Sequence, residues 1–353
     1  MKYAVRFFLL FLVLASLLTY LVVFAPNTPD YTGERSIYIP PGASFEHVVD
    51  SLKQAQILRQ PWTFTLLASV TGWRTQIKPG HYRIPAGWSN KEILNKLRLG
   101  LQDPVRVTIP PGITPERFAH ILSRSLYVDT TEVLQALHDP ELAADLGTDT
   151  LHLFAYMLPD TYYMYWTTSA RQAIRRLKQE FDRFFADSLR QRAHELGLTV
   201  DEVLRLASIV EWETPIESEK PRVAGVYWNR LRRGMRLQAD PTVQYAIMQL
   251  EGSPKRRLLY KDYEINHPYN TYRYAGLPPG PLNNPSRSSI LAVLYPEKHN
   301  YYYFVATGEG GHTFSRTYRE HLRKARAYQR LMRQRRRELA ERQKLEQQTH
   351  SDQ

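Results

Sequence analysis

From Phe7 to Ala25 the chain runs without a single charged residue, and this run constrains the whole protein more than any other feature. At about 1.5 Å rise per residue it just crosses a hydrocarbon layer of about 30 Å. Lys2 and Arg6 precede it, while Asp30, Glu34 and Arg35 follow. The positive-inside bias puts the first six residues in the cytoplasm and everything after Pro26 outside. The rival is a cleaved signal peptide, since Val23 and Ala25 are small enough for a cleavage site. The apolar run exceeds the roughly 7–15 residues of a signal core, which favours an uncleaved anchor. The expectation is a cytoplasmic tip over 1–6, a transmembrane helix over 7–25 and a polar linker over 26–35.

The rest of the composition narrows the chemistry. There is no cysteine, so disulfides and thiolate metal sites are excluded. The net charge is +12, but residues 319–353 alone hold 11 Lys/Arg against 5 Asp/Glu. Half of the excess therefore sits on a tail, read as a solvated helical extension over 326–353. A nucleic-acid groove would concentrate charge on a folded face, so no nucleic-acid partner is expected.

After the linker one pattern recurs three times. Ile39-Pro40-Pro41-Gly42-Ala43-Ser44 precedes a helical pattern through Val48, Val49 and Leu52. Ile84-Pro85-Ala86-Gly87-Trp88-Ser89 precedes Ile93, Leu94 and Leu97, and Ile109-Pro110-Pro111-Gly112-Ile113-Thr114 precedes Phe118, Ile121 and Leu122. Each reads as strand end, tight turn, Ser/Thr cap and helix. Ser89 with Glu92 three residues on is a capping box. The first unit resembles a LysM-like module, a βααβ fold that in many proteins binds N-acetylated glycans, and its expected span is 36–104. A scaffold with no ligand of its own fits the same residues. Thr130–Leu146 and Ser169–Leu196 then look helical, flanking an aromatic-rich stretch from Phe154 to Tyr165.

Thr199 and Glu202 form another capping box, opening a helix whose stripe is Val203, Leu206, Ala207 and Val210. Glu211 lies four residues past Ala207, on that stripe, where a carboxylate is unexpected. Pro215 ends the helix within a turn, so Glu211 meets its negative end. Burial, that dipole end and nearby Glu213 all disfavour the ionised carboxylate, and a general acid needs the protonated form. Glu211 is therefore the candidate catalytic acid/base. A buried Glu paired with a structural Arg, such as Arg230, is an equal alternative.

Farther on, Glu219–Arg233 reads as a helix stopped by Gly234, and Asp240-Pro241 opens the next, with Asp240 as its N-cap. Pro268–Tyr272 and Gly276–Gly280 make a rigid aromatic loop region. Tyr301–Ala306 and His312–Phe314 form a hairpin around Gly308–Gly311. No metal-ligand spacing, phosphate loop or nucleophile elbow occurs, so no cofactor and no metal is expected.

Taken together, these segments resemble the endolytic murein transglycosylases, the YceG-like family. The matching runs are Leu206-Ala207-Ser208-Ile209-Val210-Glu211-Trp212-Glu213-Thr214, Val223 to Leu231, Met235 to Val243, Tyr269-Asn270-Thr271-Tyr272, Gly276 to Pro281, Tyr303 to Ala306 and Gly310 to Ser315. The likeness covers nearly all of 7–325. One departure is Phe154-Ala155, where the family usually has Glu-Gly. The implied fold is α+β: a transmembrane helix, a small LysM-like subdomain and a mixed α+β catalytic region over 105–325 with its core at 156–325. The implied activity is a lyase at the cytoplasmic membrane, its catalytic part periplasmic or exoplasmic. It cuts β-1,4 bonds between N-acetylmuramic acid and N-acetylglucosamine within glycan strands, leaving 1,6-anhydro ends. The family's catalytic Glu is placed on Glu211.

One carboxylate suffices for such a lyase, because the sugar's own 6-hydroxyl is the nucleophile. Glu213 is the candidate to tune Glu211, and Gln238, Asn270, Tyr272 and His312 are candidates to hold sugar and N-acetyl groups. A hydrolase would instead recruit Glu213 or Asp240 as second carboxylate, and a non-catalytic glycan-binding scaffold would need neither. Expected partners are glycan strands, the membrane itself and proteins of cell-wall synthesis.

Overall fold

The computed structural model describes residues 2–351, and the side chains of these apart from 340–342 and 344–351. It is mixed α+β, with its described strands in three separate two-stranded sheets. The chain forms two compact units: residues 1–108, 119–134 and 161–173 make the first, and 109–118, 135–160 and 174–353 the second. The chain first passes from one unit to the other at 108/109, near the boundary expected at 104, and returns to the first unit at 119 and again at 161.

In the first unit the elements run α1 (Lys2–Val23), β1 (Glu34–Ile39), α2 (Phe45–Gln54), α3 (Pro61–Val70), β2 (Gly80–Pro85) and α4 (Asn90–Leu99). β1 and β2 pair antiparallel, Glu34 opposite Pro85 and Ile39 opposite Gly80. The order from β1 through α2 and α3 to β2 is βααβ. Ile37 and Ile39 alternate inward on β1 and meet Val48, Leu52, Phe64, Tyr82, Ile84, Ile93 and Leu97 in one core. Ser44 accepts from the His47 N–H, and Ser89 and Glu92 complete their capping box. The turns between strand and cap need a left-handed residue, supplied by Gly42 and Gly87.

The helix expected over 7–25 begins earlier, at Lys2, and ends at Val23. Pro26 cannot continue it and instead bridges to Ser89. The stretch expected to be a polar linker is folded into the module. Thr28 is fully buried, and the Asn27 amide donates to Asn90 Oδ1 at 2.7 Å while its oxygen accepts from the Gln60 N–H at 2.8 Å. Buried amides must be paired, and this pairing fixes the stretch in place.

The chain continues through β3 (Val105–Ile109), α5 (Pro115–Ser125), α6 (Thr130–Leu137), α7 (Pro140–Asp145), β4 (Asp160–Met164), α8 (Ala170–Phe184) and α9 (Asp187–Glu195). β3 pairs with β4. Thr114 caps α5 through the Arg117 N–H at 3.3 Å, as the third repeat predicts. The two long helical segments are each broken once. Asp139 caps α7 ahead of Pro140, and Ala186 takes an extended backbone before α9.

The second unit is built on α10 (Val200–Glu213), surrounded by α11 (Lys220–Arg232), α12 (Asp240–Glu251) and α13 (Arg287–Leu294). The α10 cap is the expected Thr199/Glu202 box, and the helix ends where Thr214 turns extended before Pro215. Val203, Leu204 and every residue from Leu206 to Val210 are buried, so the helix is covered on all sides rather than along one stripe. On α11, a side chain at Gly225 would start 2.5 Å from the Glu297 carbonyl oxygen. That close approach lets Asn229 donate to the carbonyls of His299 and Tyr301 at 2.8 and 3.0 Å, which fixes the start of β5 (Tyr303–Ala306). β5 pairs antiparallel with β6 (His312–Ser315), and α14 (Tyr318–Ser351) packs on both. Residues beyond 326, expected to be a solvated tail, continue α14 over the hairpin, where Arg335 donates to the Gly308 carbonyl.

Candidate active site

The last turn of α10 carries two carboxylates with opposite surroundings. Glu211 is nearly enclosed, its side chain 8% exposed. Its Oε2 accepts from the Ser286 N–H at 2.9 Å, the Ser286 hydroxyl, the Ser289 hydroxyl at 2.6 Å and Lys220 Nζ at 3.4 Å. Ser286 is the N-cap of α13, so this oxygen also sits at the positive end of a helix. Lys220 in turn is buried and donates to Glu217, Ser286 and Ser288. Such a knot of donors locks α10, α11 and α13 together and leaves that oxygen no lone pair for a substrate.

Glu213 points elsewhere. It lines a cavity of about 540 Å³ together with Tyr227, Arg230, Gln238, Asp240, Tyr272, Tyr303 and His312. Its Oε2 accepts one hydrogen bond, from the Tyr227 hydroxyl at 2.9 Å. Burial, helped by the negative charge of Asp240, pushes the Glu213 carboxyl up to about 7, against the smaller opposing pulls of Tyr227 and Arg230. A carboxyl poised at that value carries a proton and releases it within the neutral range, as general acid–base work requires.

The surrounding groups are held by short, directed contacts. Asp240 is the first residue of α12 rather than its N-cap, the cap position being Ala239. Its oxygens accept from the Tyr272 hydroxyl at 2.6 Å and the Tyr263 hydroxyl at 3.4 Å. Gln238 has a left-handed backbone, φ +48°, uncommon for a residue with a side chain and typical of functional loops. Arg230 Nη1 donates to its Oε1 at 3.2 Å and to the Leu237 carbonyl at 2.7 Å. His312 donates its N–H to Glu219 Oε1 at 2.8 Å, and its Nδ1 lies 2.9 Å from Oε2. Burial alone would raise the Glu219 carboxyl, but these contacts from His312 hold it below its ordinary value. A second cavity of about 510 Å³ shares Asp240 and Tyr263 with the first and adds Gln244, Arg256, Arg257 and Tyr260. The two cavities thus adjoin at Asp240 and Tyr263.

The structure thus brings together Glu213, Gln238, Tyr272 and His312 from the sequence expectations, and leaves two outside. Glu211, the candidate acid/base, is bonded through Oε2 to Ser286, Ser289 and Lys220 and does not line this cavity, and its cationic partner is Lys220, not Arg230. Asn270 is fully buried and donates to the carbonyls of Tyr263 and Ile265, at 3.0 and 2.8 Å, while its oxygen accepts from the Tyr272 N–H. It shapes the loop that carries Tyr272 and does not face the cavity. Sequence reasoning missed Tyr227, Glu219 and the cavity face of α14, where Tyr318, His321 and Tyr328 stand. Tyr227 sits four residues past Val223 at core spacing, so only the geometry separates it from a packing residue. Phe154 and Ala155, where the resemblance led us to look for Glu-Gly, are buried in a short 3₁₀ turn.

A family profile described as the YceG-like family matches residues 37–327. Among curated relatives, the endolytic murein transglycosylase of Bacillus subtilis strain 168 is 29% identical over 301 residues, 81% of this chain and 82% of that protein. The endolytic murein transglycosylase of Streptococcus pneumoniae strain R6 is 27% identical over 301 residues, 77% of this chain but 54% of that longer protein. Among solved structures, a YceG-like protein of Listeria monocytogenes superposes with a TM-score of 0.58 at 30% identity, covering 83% of this chain and 99% of that one.

Proposed function

The chain belongs to the YceG-like family, and on that premise we propose that it is a membrane-anchored peptidoglycan transglycosylase that cuts glycan strands internally, with Glu213 as its acid/base. The observation that carries the reading is the half-buried Glu213 carboxyl, raised to about 7, facing a polar and aromatic groove. The protonated carboxyl donates to the glycosidic oxygen between N-acetylmuramic acid and N-acetylglucosamine as the C1–O bond breaks. The resulting carboxylate then takes the proton of the muramoyl 6-hydroxyl, whose oxygen closes on C1. The proton count balances, the carboxyl is restored, and no water enters the products. An internal nucleophile has high effective molarity and needs no second carboxylate to activate it.

Among the described residues, Asp240 is the other carboxylate lining these cavities, which gives hydrolysis a specific observation in its favour. Against it, both Asp240 oxygens face tyrosine hydroxyls, so its part in this reading is to raise Glu213 and orient Tyr272 and Tyr263. Two cavities that adjoin at Asp240 and Tyr263 offer room for more than one sugar unit, in keeping with cleavage within strands. Helix α1 is long and apolar enough for a single-pass anchor, and Lys2 and Arg6 ahead of it support a remainder outside the cytoplasm. In this reading the βααβ module is a LysM-like scaffold that carries α1.

Mass spectrometry of digested glycan strands tests the reaction. 1,6-anhydromuramoyl ends are expected. Reducing ends, heavier by one water, would assign the protein to the hydrolases, and intact strands would leave a glycan-binding scaffold.

A further inference from the structure

The outer face of α3 is uncharged and largely apolar, its exposed Ser69 and half-buried Thr65 both turning their hydroxyls back to helix carbonyls, at Thr65 and Pro61. Pro61–Val70 contains no charged residue. Thr63, Phe64, Leu67 and Ala68 face the core, whereas Trp62, Leu66 and Val70 recur at i, i+4 and i+8 on the opposite side, 57%, 39% and 78% exposed. A helix lying on a water-facing surface carries polar and charged residues outward. An outward stripe of Trp, Leu and Val asks for a non-aqueous neighbour.

The neighbour is indicated by α1, which packs against α3. The end of α1 is fixed to the module: Asn90 Nδ2 donates to the Val22 carbonyl at 2.8 Å, Val22 is buried, and Pro26 bridges to Ser89. Asn90 thus satisfies a carbonyl that a helix end leaves open, and no free tether separates helix from module. A helix of 22 residues is about 33 Å long, close to the thickness of a hydrocarbon layer. Its buried end therefore lies at the outer boundary of the bilayer it crosses, and α3 lies beside that end. Phe24, 53% exposed, and Lys91, whose ammonium stands 5.1 Å from the Phe24 ring centre, supply the aromatic and cationic pair typical of that boundary.

We propose that the Trp62–Leu66–Val70 face of α3 is a membrane-docking surface, seated at the headgroup–acyl boundary of the bilayer that α1 crosses. Together the two helices hold the module at two points, so that it cannot swivel about α1. The inference rests on the anchor reading of α1 and not on the cleavage chemistry.

The chain has no cysteine, so single labels can be placed cleanly. Leu12→Cys, Leu66→Cys and Val70→Cys, each in the full chain, are labelled with bimane and reconstituted into phosphatidylcholine–phosphatidylglycerol vesicles. Nitroxide lipids quench from within the bilayer, iodide quenches from water, and a bimane–glutathione adduct is the water reference. The expected result is several-fold stronger quenching by shallow nitroxide at 66 and 70 than for the reference, with iodide quenching correspondingly reduced. Label at 12 should respond most to deep nitroxide. If 12 is quenched by lipid while 66 and 70 behave like the reference, α3 faces water and the proposal is wrong although the anchor stands. If 12 is not quenched either, the anchor reading fails and takes the proposal with it. All three positions are exposed, so the labels do not enter the core.

Discussion

Replacing Glu213 with Gln should stabilise the protein while destroying its activity, and the stabilisation should depend on pH. The folded environment raises this carboxyl from 4.5 to about 7. Below 4.5 it is protonated in both the folded and the unfolded chain, and the amide is a close mimic of the protonated group. Between 4.5 and about 7 the unfolded chain releases its proton while the folded one retains it, so wild-type stability falls as pH rises. Above about 7 both forms are ionised and the full penalty is present. Two and a half units at about 1.36 kcal/mol each give a penalty of about 3 kcal/mol, which the neutral amide does not carry. The Tyr227 hydroxyl can still donate to the amide oxygen. The assay is urea unfolding of the full chain in detergent, wild type beside E213Q, across this pH range. The variant's advantage should grow from near zero at acid pH to about 3 kcal/mol in mild alkali. Turnover should drop by roughly 10² to 10⁴, the usual worth of a general acid. A stability difference that does not change with pH, or a wild type that gains on the variant as pH rises, would refute the placement of Glu213 in a desolvated cleft.

The other predictions concern its neighbours. Glu211→Gln breaks the buried contact with Lys220 and should cost about 3–5 kcal/mol of stability while the folded fraction still cuts glycan. A well-folded E211Q with no turnover would return the acid/base role to Glu211. In the wild type, kcat/KM should decline as pH rises through about 7, where Glu213 loses its proton, and a flat profile would speak against it as the acid. His312→Ala removes the imidazole contact with Glu219 Oε2 while the backbone N–H bond to Oε1 remains, and the loss of the ring from the cavity wall should lower kcat/KM by up to about 100-fold. Unchanged kinetics would make the pair dispensable. Truncation before Ala327 removes Tyr328 from the cavity wall and the Arg335 contact with Gly308, so thermal stability should fall and KM on long strands should rise. An unaltered KM and melting temperature would mean that this part of α14 contributes nothing to the site.

What the residues reveal by themselves follows from how local the governing physics is. Capping boxes at Ser89 and Thr199, the turn glycines and the halt before Pro215 are contacts within a few residues, and the structure keeps each of them. Which of Glu211 and Glu213 lines a cavity is not a local property. Both follow a run in which every residue from Leu206 to Val210 is buried, so periodicity could not say which side opens on water. That is decided by Ser286, Ser289 and Lys220, the first two of them more than seventy positions away in sequence, which close around one carboxylate and leave the other to the groove. Asn270 poses a related question. A polar residue in a motif can serve substrate or backbone equally well, and here three loop contacts consume its amide. The tail looked solvated because charge dominates its composition, yet aromatic and aliphatic residues at Tyr328, Leu331 and Met332 are enough to turn one face toward the hairpin.

Gly225 sets local preference against long-range fit. In the interior of α11 a glycine costs about 1 kcal/mol of helix propensity relative to alanine. An isolated peptide of Lys220–Arg232 with Gly225→Ala should therefore be more helical than the native peptide. In the intact protein the same methyl would collide with the Glu297 carbonyl and the His299 ring, 2.5 and 2.7 Å from where it begins. The segment that delivers β5 would have to retreat, and with it Tyr303 and Phe304 on the cavity wall. One added carbon thus has opposite signs in the part and in the whole. The alignment of the groove depends on an atom that is missing from the helix behind it.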